Sequence, residues 1–89
     1  MPQVVIYTTN WCPYCRAAKS LFLAKKIAFT EIDVTEDPKL RMEMERLSGR
    51  RTVPQIFIDD NPIGGYDDVR ELEVSGELDL LLSKPPGTT

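Results

Sequence analysis

Cys12 and Cys15 are the only two cysteines in the chain, and histidine is absent. Their C-x-x-C spacing admits three kinds of chemistry: a structural zinc site, a structural disulfide, or a redox-active thiol pair. A closed zinc site takes four ligands, so without His or a third Cys it would have to recruit carboxylates. A disulfide between Cys12 and Cys15 would close a tiny loop and restrain the unfolded chain little. The lack of His also excludes imidazole general bases and Cys-His dyads. A thiol pair that exchanges disulfides needs an ionised attacking sulfur. A helix N-terminus favours that ion with free backbone N–H groups and the positive end of the helix dipole.

The flanking residues predict such a placement. Residues 3–7 form a short apolar, β-branched run that reads as a buried strand. A polar loop follows and ends in Trp11. Pro13 suits the first helical position, where its missing N–H costs nothing. Cys12 is then the N-cap, with its sulfur near the N–H groups of Tyr14 and Cys15. Ala17, Leu21, Ala24 and Ala28 recur at helical spacing, with Ala18 and Phe22 beside them, and predict the buried stripe.

Residues 29–34 alternate as a second strand. Glu36, Asp37 and Pro38 open a second helix, whose buried stripe is expected at Leu40, Met44 and Leu47 and whose left-handed cap is expected at Gly49. Residues 53–58 read as a third strand, 59–62 as a turn, and Ile63 as part of a short fourth strand closed by Gly64 and Gly65. Asp68 and Glu71 match the ends of a capping box, with Asp68 as N-cap of a third helix packed through Val69 and Leu72. Gly76 interrupts it, and Leu78, Leu80, Leu81 and Leu82 make a final short helix. The expected fold is therefore α/β, in the order β-α-β-α-β-β-α. Its four-stranded mixed sheet has a parallel first pair, a right-handed crossover and helices on both faces.

The 89 residues fit one domain, expected over 1–83, with 84–89 as a flexible tail. A net charge of −3 argues against a nucleic-acid binder. No stretch approaches the ~20 apolar residues of a membrane span. The N-terminus lacks the pattern of a secretory signal, so a cytoplasmic location is expected. Arg16, Lys19, Lys25 and Lys26 precede every acid in the chain. This run is either a solvated basic helix face or a source of positive potential near the cysteines.

Three motifs occur in order: Cys12-Pro13-Tyr14-Cys15, then Thr52-Val53-Pro54 before a strand, then Gly64-Gly65-Tyr66-Asp67-Asp68 opening a helix. Together they resemble the dithiol glutaredoxins of small bacterial type, over about Val4 to Leu82. The resemblance implies a thioredoxin-like fold and glutathione-dependent reduction of protein disulfides and glutathione mixed disulfides. Cys12 would be the nucleophile and Cys15 the resolving thiol. Tyr14, Thr52, Val53 and a cis Pro54 would line the glutathione groove. Arg41 would hold the glycine carboxylate, and Gly65, Tyr66, Asp67 and Asp68 the γ-glutamyl end. Glutathione would serve as co-substrate, without a metal. The partners implied are glutathionylated or disulfide-containing proteins, with ribonucleotide reductase as a family expectation, and the chain would act as a monomer.

Two positions depart from the family pattern. Thr9 stands where the family usually has Lys, which leaves the helix N-terminus, Arg16 and Arg51 to favour the thiolate. Trp11 keeps thioredoxin reductase open as an alternative electron source. A cluster-holding dimer is a further alternative, although the CPYC motif resembles the class without a cluster.

Overall fold

The computed structural model describes residues 2–83; the expected tail, 84–89, lies outside the described residues. The elements run β1 (Val4–Thr8), α1 (Pro13–Ala24), β2 (Thr30–Asp33), α2 (Pro38–Ser48), β3 (Gln55–Ile58), β4 (Asn61–Gly64), α3 (Tyr66–Ser75) and α4 (Glu77–Ser83). Strand order in the sheet is β2-β1-β3-β4. β1 is parallel to β2 and antiparallel to β3, and β4 is antiparallel to β3. The expected mixed sheet is thus present.

Strand periodicity divides the core. Val4, Ile6, Ile56 and Ile58 face α1, α3 and α4, where Ala18, Phe22, Val69, Leu78 and Leu82 join them. Tyr7 and Phe57 point to the other face and pack with Val34 and Met44. The Tyr7 and Phe57 rings meet edge to face at 5.5 Å between centroids. β1 and β3 therefore bury both faces, which explains their nearly continuous apolar runs.

Three expectations shift, two of packing and one of a helix boundary. On α1 the buried residues are Cys15, Ala18 and Phe22, whereas Ala24 is exposed and Ala28 lies exposed beyond the helix end. The face that seats Cys15 against the sheet sets the stripe, one residue away from the alanine-based reading. On α2 only Met44 is buried, with Leu40 and Leu47 exposed. The small cluster of Tyr7, Val34 and Phe57 accepts a single side chain from this helix. The third helix starts earlier than expected: Gly65 is its N-cap, and Asp68 is the third helical residue.

The early run of bases acts partly as a set of clamps. Lys19 Nζ lies 2.9 Å from Glu31 Oε2, which ties α1 to β2. Lys25, the C-cap of α1, pairs with Glu73 of α3 and Asp79 of α4. Lys19 and Lys25 thus face acids from other elements and do not belong to a purely solvated face.

Candidate active site

Sheet register brings three chain segments to one edge. Tyr7 near the end of β1 pairs with Gln55 at the start of β3, and Ile56 pairs with Gly64 at the end of β4. The loop into α1, the loop into β3 and the start of α3 therefore converge.

The first segment carries the thiols. Cys12 has extended backbone (φ −102°, ψ 105°) and caps α1, with Pro13 at the first helical position. Its Sγ accepts a hydrogen bond from the Cys15 N–H at 3.1 Å. The sulfur also stands 3.8 Å from the Val53 carbonyl oxygen, to which the thiol donates. Cys12 is half-buried, whereas Cys15 is buried at 1% exposure. Burial, reinforced by a hydrogen bond to the Cys12 sulfur, pushes the Cys15 thiol up to about 12. A backbone hydrogen bond at Thr9 and the charge of Lys19 act in the opposite direction and are outweighed.

The second segment is the loop 49–54. Gly49 takes left-handed backbone (φ +74°) and turns the chain out of α2. Val53–Pro54 is cis. Gln55, buried at 1% exposure, donates from Nε2 to the Thr52 carbonyl at 2.9 Å and to Thr52 Oγ1 at 3.2 Å. This bond fixes the rim residue from below.

The third segment is the start of α3. Gly64 has φ +120°, and a Cβ there would stand 2.4 Å from Asp68 Oδ2. A Cβ at Gly65 would meet the Pro54 carbonyl oxygen at 3.4 Å. Asp68 Oδ2 accepts from the Gly65 N–H at 2.9 Å and from Arg50 Nη1 at 2.8 Å. The Gly65 N–H first, and Arg50 second, hold the Asp68 carboxyl below the usual carboxylate range.

Between these walls lies a cleft of about 340 Å³ lined by Tyr14, Arg50, Thr52, Val53, Pro54, Gly65, Tyr66, Asp67 and Asp68. The Tyr14 and Tyr66 rings stand 6.4 Å apart across it, tilted by 34°. Of the residues singled out from the sequence for the groove, the structure brings together all but Arg41. That side chain donates from Nη2 to the Arg51 carbonyl at 2.8 Å, and its Nε stands 4.0 Å from Glu45. Arg50 is the lining residue that sequence reasoning missed. Arg51, its neighbour, is the one named from the sequence, as a source of positive potential for the thiolate. Arg51 is instead 89% exposed, with Nε 3.6 Å from Glu45 Oε1.

An outer sulfur capping a helix, a buried partner thiol one turn on, and a cis-proline loop beside them define a thiol–disulfide oxidoreductase of thioredoxin-like fold. The family model described as glutaredoxin matches residues 4–63. The chain is 53% identical to the glutaredoxin of Pseudomonas aeruginosa, covering 93% of this chain and 99% of that protein. It is 49% identical to glutaredoxin 3 of Escherichia coli, covering 92% and 99%. The solution structure of glutaredoxin from Brucella melitensis superposes with a TM-score of 0.84 at 48% identity, covering 100% of this chain and 95% of that one. A buckwheat glutaredoxin–glutathione complex also gives 0.84, at 28% identity, covering 92% and 77%. The chain belongs to the glutaredoxin family and is a glutathione-dependent thiol–disulfide oxidoreductase.

Proposed function

We propose that Cys12 attacks the disulfide, that Cys15 resolves protein-bound intermediates, and that the cleft beside them holds glutathione. The observation that carries this reading is the Cys12 sulfur at the N-terminus of α1, accepting the Cys15 N–H at 3.1 Å. Such a site stabilises a thiolate and leaves it open to attack a disulfide.

On a glutathionylated protein, the Cys12 thiolate attacks the glutathione sulfur. The protein sulfur departs with the electron pair and takes a proton from water. Free glutathione then attacks the Cys12–glutathione bond, which releases glutathione disulfide and restores the Cys12 thiolate. On a protein disulfide, Cys12 bonds one protein sulfur and expels the other. Cys15 loses its proton and attacks Cys12 Sγ, so the second protein sulfur leaves and a Cys12–Cys15 disulfide remains. Two glutathione molecules reduce that bond.

Glutathione carries two carboxylates and one ammonium, and the cleft offers a partner for each. The N–H groups at the start of α3 suit the γ-glutamyl carboxylate. Asp67 suits the ammonium, because Asp68 already receives Gly65 and Arg50. Arg50 lines the cleft beside Asp68 and supplies a cation for a glutathione carboxylate, the kind of role expected of Arg41. Arg41 supports the same loop through the Arg51 carbonyl. Val53 offers backbone groups to the cysteine portion, while Thr52, Pro54, Tyr14 and Tyr66 form the walls. In this reading the enzyme is a cytoplasmic monomer, its partners are glutathionylated and disulfide-bonded proteins, and ribonucleotide reductase is one candidate among them. No helix among the described residues is long and apolar enough to cross a membrane.

The test is a coupled assay on a small glutathione mixed disulfide, with NADPH as the final electron donor. Turnover is expected with glutathione and glutathione reductase. Turnover only with thioredoxin reductase would overturn the proposed electron source.

A further inference from the structure

We infer that Lys19, braced by Glu31 and Thr8, assists the resolving step by holding a positive charge one helical turn from Cys15. The inference rests on the proposed resolving role of Cys15. Among the described residues, Thr8 and Gln55 are the buried polar ones, each at 1% exposure. Gln55 supports the cleft rim through Thr52, whereas Thr8 does not line the cleft. The Thr8 hydroxyl donates to Glu31 Oε2 at 2.7 Å. The same oxygen receives Lys19 Nζ at 2.9 Å. β1, β2 and α1 thus meet at one carboxylate oxygen. The Thr8 hydroxyl first, and Lys19 second, hold the Glu31 carboxyl below its usual range. Glu31 therefore stays charged at neutral pH and keeps the ammonium in place.

That ammonium stands where a buried resolving thiol needs one. Residues four apart on a helix share a face, so Lys19 follows Cys15 along α1. Cys15 is buried, and burial alone makes a thiol hold its proton. Resolution requires the proton to leave. Cys15 attacks Cys12 Sγ as a thiolate, the substrate sulfur departs with the electron pair, and the proton reaches that sulfur through water. Two groups oppose the effect of burial on Cys15: a backbone hydrogen bond at Thr9, the residue after Thr8, and the charge of Lys19. Cys12 acts the other way. Glu31 and Asp33 of β2 are the acids beside Lys19. A lysine–carboxylate pair this exposed adds little to stability, so its value lies in where it puts the ammonium. The route through Cys12 and free glutathione bypasses Cys15 and makes no call on Lys19.

The test is rapid mixing of reduced enzyme with one equivalent of the aromatic disulfide dithiobis(nitrobenzoate). The first release of thionitrobenzoate reports attack by Cys12, and the second reports resolution by Cys15. Lys19→Met is expected to slow the second release about fivefold, the loss of thiolate being partly offset because a more basic thiolate attacks faster. The first release, and turnover of a small glutathione mixed disulfide, should change less than about twofold, because neither uses Cys15. Lys19→Arg, which keeps the charge, should bring the second release back to within about twofold of the unaltered enzyme. An unchanged second release in Lys19→Met, an equal slowing of both releases, or a Lys19→Arg enzyme as slow as Lys19→Met would overturn the inference. Cys15→Ser is the control, and a second release that persists in it would instead overturn the resolving role on which the inference rests.

Discussion

Cys12 and Cys15 have the same side chain, and one helical turn gives them different surroundings. Cys12 sits where the helix offers an N–H and its positive end, open enough to reach a substrate. Cys15 is buried, and burial pushes its thiol up to about 12, which suits the proposed resolving role. The placement of Cys12 at the cap was legible in the sequence, because Pro13 marks the first helical residue. The arginine that lines the cleft was less legible. Arg50 and Arg51 are chemically identical neighbours, and Arg50 lines the cleft while Arg51 stands beside Glu45. Arg50→Ala is expected to raise KM for a glutathione mixed disulfide about tenfold, since a charge-assisted hydrogen bond contributes about 1.5–3 kcal/mol. Arg41→Ala should change KM far less. Iodoacetamide alkylation of Cys12 should proceed at the same rate in both variants. A larger KM effect from Arg41→Ala would return that residue to the site.

Among the elements, α3 shows how local rules build a binding wall and how they can mislead a reader of sequence. Its N-cap is a glycine with no side chain to announce it, so Asp68 looked like the cap when it is the residue that reaches back. Gly64 permits this arrangement, because it holds φ +120° and a Cβ there would stand 2.4 Å from Asp68 Oδ2. By contrast, the starts of α1 and α2 were readable from Pro13 and from Asp37-Pro38, and the end of α2 from Gly49. The buried stripes were harder to read, since the sheet decides which of several apolar residues it accepts.

The depressed Asp68 carboxyl has a pH consequence. A group whose folded pKa lies below its unfolded value of about 3.9 stabilises the fold fully above that value. It loses the contribution as pH falls through the folded pKa. Asp68→Asn should therefore lower stability at pH 7 by up to about 1 kcal/mol, because the pair with Arg50 is half-exposed. The gap should be smaller near pH 3, where the contribution has begun to fall. Urea denaturation at both pH values checks this, and an equal gap at both would show that the Asp68 charge is not responsible.

For the whole molecule, sheet order does the assembling. β1 is central and antiparallel to β3, so the chain leaving β1 meets the chain entering β3. The β3–β4 hairpin then returns Gly64 and the start of α3 to the same edge. Element order, the parallel first pair, the β3–β4 hairpin and helices on both faces were readable from periodicity and turn residues, whereas the antiparallel pairing of β1 with β3 was not. Cleft contents at the level of individual side chains were not, because loop 49–54 carries no periodicity to constrain it. The central claim is that Cys12 attacks and that either glutathione or Cys15 completes the reaction. Its most direct test is the Cys15→Ser enzyme, assayed side by side on a small glutathione mixed disulfide and on an intramolecular protein disulfide, with Cys12→Ser as control. The account predicts that Cys15→Ser keeps the first activity within a few-fold and loses most of the second, whereas Cys12→Ser loses both. Loss of both activities in Cys15→Ser, or survival of either in Cys12→Ser, would contradict it.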